Sequence, residues 1–172
     1  EALRSLIQHR ETIRRIAAGF KAPAAEVETK ISEALEEVKR AQKLLADATT
    51  KAAMALIPEL LASATEISGI KLVAGSVGEL APDSLRELIL QLRERMGGNA
   101  VVILGASASD RATVMVAAGA DAVASGKDSG ALAKKAAEVL GGGGGGKKDL
   151  AQGGGPELTK LEQAIAEAKA LL

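Results

Sequence analysis

At 172 residues, with 47% hydrophobic side chains, the chain has room for one compact domain and an appendage, or for two small domains. Lysine plus arginine and aspartate plus glutamate balance at 22 each, so no whole-molecule field steers a polyanion and any nucleic-acid contact has to come from a local patch. Phe20 is the single aromatic ring and cysteine is absent, which excludes base stacking on aromatic platforms, disulfides and thiolate metal sites.

Leu3, Leu6, Ile7, Ile13 and Ile16 keep helical spacing up to Gly19, and Phe20 with Pro23 marks a break. From Ala24 to about Glu66 the pattern resumes near a heptad seam, with Val27, Ile31, Ala34, Leu35, Val38, Ala41, Leu45 and Ala48 apolar. This predicts an antiparallel helical hairpin over residues 1–66. Pro58 lacks an amide and clashes with the preceding turn, so a kink or restart is expected near Leu56 and Ile57.

After Ser68 and Gly69 the period becomes extended, and Ile70 to Val77 reads as a strand. Pro82 and Asp83 then open a helix bearing Leu85, Leu88, Ile89, Leu92 and Met96, which Gly97 and Gly98 close. Ala100 to Leu104 and Ala112 to Ala118 read as two strands paired through a polar turn over Ser107 to Arg111. Asp128 to Leu140 is a predicted helix, and Pro156 to Leu172 another, with Pro156 and Glu157 in the favoured first turn. The predicted fold class is α+β: a helical hairpin at 1–66 and a small mixed α/β domain at 67–172, in the order β-α-β-β-α-glycine loop-α.

Between those last two helices lie six consecutive glycines from Gly141, then Lys147, Lys148, Asp149, Leu150, Ala151 and Gln152, then three more glycines. Ordering so much bare backbone is costly, so the stretch is either a flexible linker or a loop that something approaches closely. Gly141, Gly146 and Lys147 match P-loop spacing, but Lys148 replaces the magnesium-ligating Ser or Thr, and a helix rather than a strand leads in. Ser107, Ser109 and Asp110 have no histidine base in their domain, and His9, the lone histidine, has no partner ligand. Lys127, Lys134, Lys135, Lys147 and Lys148 cluster around one helix and the loop at its end. Together they are a candidate basic patch for a phosphate backbone.

The segment Ala-Lys-Lys-Ala-Ala-Glu-Val-Leu, the glycine run, a basic residue and then Asp-Leu-Ala-Gln-Gly-Gly resembles the DHH-associated domain at the C-terminus of alanyl-tRNA synthetases. The long helical segment before it looks like the hairpin joining that domain to the rest of the synthetase. The family usually carries Arg-Pro after the glycines, where this chain has Lys147 and Lys148, which keeps the charge but loses a bidentate fork.

The resemblance implies a tRNA-binding fragment of an alanine-tRNA ligase that contacts the outer corner of tRNA(Ala) and supports aminoacylation and editing by the parent enzyme. The candidate tRNA contacts, from the lysine patch and the glycine motif together, are Lys127, Lys134, Lys135, Gly143, Gly144, Gly145, Gly146, Lys147, Lys148, Gln152 and Gly153. The upstream domains of the same polypeptide are implied partners, and some members dimerise through the helical part. The parent's ATP with Mg2+ and its editing Zn2+ belong to those upstream domains, so no cofactor, metal or catalytic residue is expected here. Alternatives are a structural dimerisation module and the substrate-binding domain of a DHH-type phosphodiesterase. The chain does not begin with methionine, which predicts a longer polypeptide upstream. No apolar stretch reaches the roughly 18 residues a membrane helix needs, so no membrane partner and a cytoplasmic location are expected.

Overall fold

The structure, a computed structural model, describes residues 2–172; the side chains of Ala2, Leu3 and Leu6 lie outside the described set, and with them the Leu3 and Leu6 part of the helical pattern. Two compact units divide the chain, one ending at Leu45 and one covering Ala46–Leu172. The boundary falls inside a helix. The sequence suggests a divide near Glu66.

In the first unit, α1 (Ala2–Gly19) ends where Lys21 adopts a left-handed φ of 50°, and a 3-10 turn at Ala24–Glu26 leads into α2 (Val27–Ala55). Ala17 and Val27 are buried beside this turn, whereas Ile7, Ile13, Ile16, Leu35, Val38 and Leu44 are exposed. Ion pairs Lys30–Glu33 and Lys39–Glu36 run along the polar side of α2.

The second unit begins within α2. The expected restart is present: α2 stops at Ala55, and α3 (Ile57–Ala62) begins with Pro58 in its first turn, where its missing amide is no loss. Ala53 and Ile57 are buried with the sheet domain, which is why residues 46–62 group with it. Strand β1 (Thr65–Ile67) pairs with β2 (Ile70–Glu79) through a two-residue turn in which Ser68 and Gly69 both take positive φ. The sequence places residues 65 and 66 in the helical segment; they are strand, because the turn chemistry of Ser68–Gly69 folds them back onto β2.

Helix α4 (Pro82–Met96) crosses from β2 to the parallel strand β3 (Ala100–Ala108), and β3 returns antiparallel as β4 (Arg111–Ala118) around Ser109 and Asp110. A short helix α5 (Ala120–Ala124) and then α6 (Ser129–Val139) follow. Asp128 caps α6, accepting the amides of Gly130 at 2.8 Å and Ala131 at 3.2 Å.

The glycine stretch is not a loop. Gly143–Gly146 form β5 and Leu150–Gly155 form β6, an antiparallel hairpin that completes a six-stranded mixed sheet in the order β1-β2-β3-β4-β6-β5. Glycine is depleted in strands because it brings no side chain to pack; here the neighbouring helix leaves no room for one. The final helix is shorter than expected. Glu157 N bonds back to Leu140 O at 3.2 Å, a 3-10 turn spans Leu158–Lys160, and α7 covers only Leu161–Lys169.

Strand alternation sorts the core into two clusters. Leu72, Val101, Ile103, Val114, Val116 and Ala151 face α6 and α7. Val73, Val102, Leu104, Met115 and Ala117 face α4, together with Ala53 and Ile57. No helix among the described residues is long and apolar enough to cross a membrane.

Candidate nucleic-acid interface

The β5–β6 hairpin has two unlike faces. On one, α6 lies against the backbone itself: a Cβ on Gly144 would stand 2.9 Å from Ala133 O and 3.0 Å from the Ala137 methyl, and one on Gly153 would overlap Ala133 O. Small residues on both elements make that approach possible, with Ala133, Ala136 and Ala137 buried on α6. On the other face, a Cβ added to Gly143 or Gly145 would meet nothing within 4 Å.

At Gly145 that open face lines a hollow of about 320 Å³. Register brings Met115, Gln152 and Gly145 into one row across β4, β6 and β5, so its floor carries the Met115 and Gln152 side chains and, at Gly145, bare backbone. Arg86 of α4 and Lys147 of the hairpin turn line its wall. Gln152 is exposed and its amide has no hydrogen-bond partner among the described residues. Cationic groups, an unengaged amide and exposed peptide suit a phosphate and ribose. A nucleophile beside a base is missing from this lining, and no group of three His, Asp or Glu among the described residues could hold a metal ion.

The turn itself is fixed by its surroundings. Lys147 N bonds Leu150 O at 2.9 Å, Ser129 N at the start of α6 donates to Lys148 O at 3.0 Å, and Ala118 N donates to Asp149 O at 3.0 Å. Arg93 of α4 reaches the same Asp149 carbonyl at 3.3 Å, and its guanidinium lies 3.8 Å from the Asp149 carboxylate. The side chains of Lys147 and Lys148 are therefore exposed on a backbone held by these hydrogen bonds.

The five candidate lysines differ in how their ammonium groups are engaged. Lys147 and Lys148 sit together at the turn, but Lys127 donates to Leu172 O at 2.6 Å, and Lys135 pairs with Glu167 of α7 at 3.7 Å. Lys134 is exposed on α6, which covers the face of the hairpin opposite the hollow. Of the glycines, Gly143 and Gly145 face the open side, whereas Gly144 and Gly153 are spent on helix packing. Arg86 and Met115 escape a reading of the sequence, since Arg86 looks like any solvated charge on an amphipathic helix and Met115 like any core residue. Strand parity, once Gln152 is placed, is the signal that would have found Met115.

A DHHA1 domain model matches residues 69–172. Over 170 residues the chain is 37% identical to the alanine-tRNA ligase of Acidothermus cellulolyticus, covering 98% of this chain and 19% of that protein. It is 33% identical to the alanine-tRNA ligase of Acetivibrio thermocellus, covering 97% of this chain and again 19% of the relative. The chain thus spans about a fifth of the length of the curated relatives it matches. Among solved structures, the C-Ala domain of Aquifex aeolicus alanyl-tRNA synthetase superposes with a TM-score of 0.58 at 28% identity, covering 64% of this chain and 97% of that one. Thermus thermophilus RecJ shares the fold at 18% identity, with a TM-score of 0.50 over 92% of this chain and 26% of its own.

Proposed function

Because the chain belongs to the DHHA1 domain family, we propose that it is the tRNA-binding C-terminal part of an alanine-tRNA ligase, holding tRNA(Ala) so that the parent enzyme can aminoacylate and edit it. The observation that carries this reading is the open face of the glycine hairpin, where Lys147, Arg86 and Gln152 surround exposed backbone. The fixed turn lets Lys147 and Lys148 meet a phosphate with little further ordering, which favours a modest but rapid electrostatic grip. Chemistry and its ATP, Mg2+ and Zn2+ belong to the upstream domains of the parent polypeptide, and the location is the cytoplasm. Titrating the protein with transcribed tRNA(Ala) across a salt series tests this: affinity should fall steeply as salt rises, and absence of binding at low salt would overturn it.

A second reading, a dimerisation module, is favoured by the exposed Ile7, Ile13 and Ile16 of α1 and Leu35, Val38 and Leu44 of α2. Sedimentation equilibrium separates the two, since a tight dimer indifferent to tRNA supports only the second.

A further inference from the structure

The charge balance of the whole chain hides a segregation. Residues 2–22 carry Arg4, Arg10, Arg14, Arg15 and Lys21 against Glu11 alone, so the remainder of a chain with 22 charges of each sign is net acidic. All four arginines are exposed, and none makes an ion pair among the described residues. Glu11 lies three and four residues before Arg14 and Arg15, a spacing that permits a pair, yet none forms. Helix α2 behaves differently, with Lys30 and Lys39 neutralised locally by Glu33 and Glu36.

Geometry adds a seat to this charge. Arg10 and Arg14, one turn apart, flank a hollow of about 530 Å³ whose remaining lining is His9, Ile13 and Ala24. Arg4 and Arg15 are eleven residues apart, so they return to nearly the same side of the helix about 16 Å along its axis, on a stripe about 100° round the helix from Arg10 and Arg14 that long guanidinium side chains can bridge. A duplex strand presents a charge about every 3.4 Å of axis, so this span covers several phosphates. Guanidinium groups match phosphate oxygens bidentately, which lysines do not.

We infer that α1 is a second RNA-backbone contact, centred on Arg10 and Arg14 and separate from the glycine hairpin. Phosphates lie on the arginines, and a ribose rests on the apolar floor of Ile13 and Ala24. The inference rests on reading the chain as an RNA binder, and it adds a site outside the family-matched residues 69–172.

The full chain with Arg4→Gln, Arg10→Gln, Arg14→Gln and Arg15→Gln tests it, because glutamine keeps helix propensity at exposed positions. Circular dichroism checks that helix content is unchanged. Binding to transcribed tRNA and to an unrelated RNA duplex is expected to weaken about tenfold or more, with the logarithmic salt slope shallower by about 3 to 4. The matching four-lysine variant is expected to retain most of that slope. Unchanged affinity and slope would overturn the inference, as would loss of binding to phosphatidylserine vesicles with RNA binding intact, which would assign the arginines to an anionic bilayer instead. Lys147→Ala with Lys148→Ala serves as the separating control. If that variant fails on tRNA while the glutamine variant does not, the hairpin reading stands and the α1 site falls; the reverse result keeps α1 and removes the hairpin.

Discussion

The methyl group of Ala137 lies 3.0 Å from where a side chain on Gly144 would begin, so helix and strand pack there with no space for a single added carbon. Gly144→Ala should therefore force β5 away from α6, since the nearest neighbours, Gly153 Cα at 2.8 Å and Ala133 O at 2.9 Å, are backbone and cannot rotate aside. The expected loss is about 1–3 kcal/mol, read from urea unfolding. An unchanged midpoint would mean that the two elements are not in contact in solution.

Gly145→Ala should behave in the opposite way. Its Cβ meets nothing within 4 Å and projects over the floor of the hollow. Stability should hold or rise by up to about 1 kcal/mol, because alanine orders at lower entropic cost. Affinity for tRNA should fall, since the methyl covers the peptide plane that a ligand would approach, and a filter-binding titration beside the wild type reads this directly.

Lys147→Ala with Lys148→Ala should weaken tRNA binding by roughly 1 kcal/mol or more without moving the unfolding midpoint, since both side chains are exposed and neither has an ion pair among the described residues. Lys127→Ala and Lys135→Ala should show the reverse balance. Their ammonium groups are engaged by Leu172 O and Glu167, so binding should change little, and stability should fall by less than about 1 kcal/mol for such partly exposed contacts.

Residues 46–62 should prove part of the sheet domain. A chain starting at Ala46 is expected to melt near the temperature of the second unit in the full chain, whereas one starting at residue 67 loses Ala53 and Ile57 from the core around α4. Ile57→Ala alone, at a side chain 2% exposed, should cost about 2–5 kcal/mol. Calorimetry that found the residue-67 chain equally stable would contradict this packing.

How far the fold could be read from the residues depended on whether its cause was local. Pro58 marked the end of α2, Pro82 and Gly97 bracketed α4, and the apolar run from Ala100 announced β3, because each signal acts within one turn or one strand. The glycine hairpin was hidden for the converse reason. Strand propensity is carried by side chains, and β5 has none; what makes it a strand is the alanine face of α6, which only the tertiary fold brings near. Strand β1 was lost because three residues are too few to break a helical pattern. The site followed the same division. Lys147 and Lys148 were legible as exposed neighbours of the glycines. The partners that occupy Lys127 and Lys135 lie at Leu172 and Glu167, remote in sequence, and Arg86 reaches the hollow from a different helix altogether.

The contact between α6 and the hairpin also limits how the sequence can drift. Positions 133, 137, 144 and 153 share one small volume, so a larger residue at any of them is tolerable only where the layer spacing widens, and widening tilts the floor on the far side. Under the proposed RNA-binding role, the shape of the hollow thus depends on residues on the opposite face of the hairpin. Across chains of this fold, the helix alanines and the strand glycines should vary together or not at all.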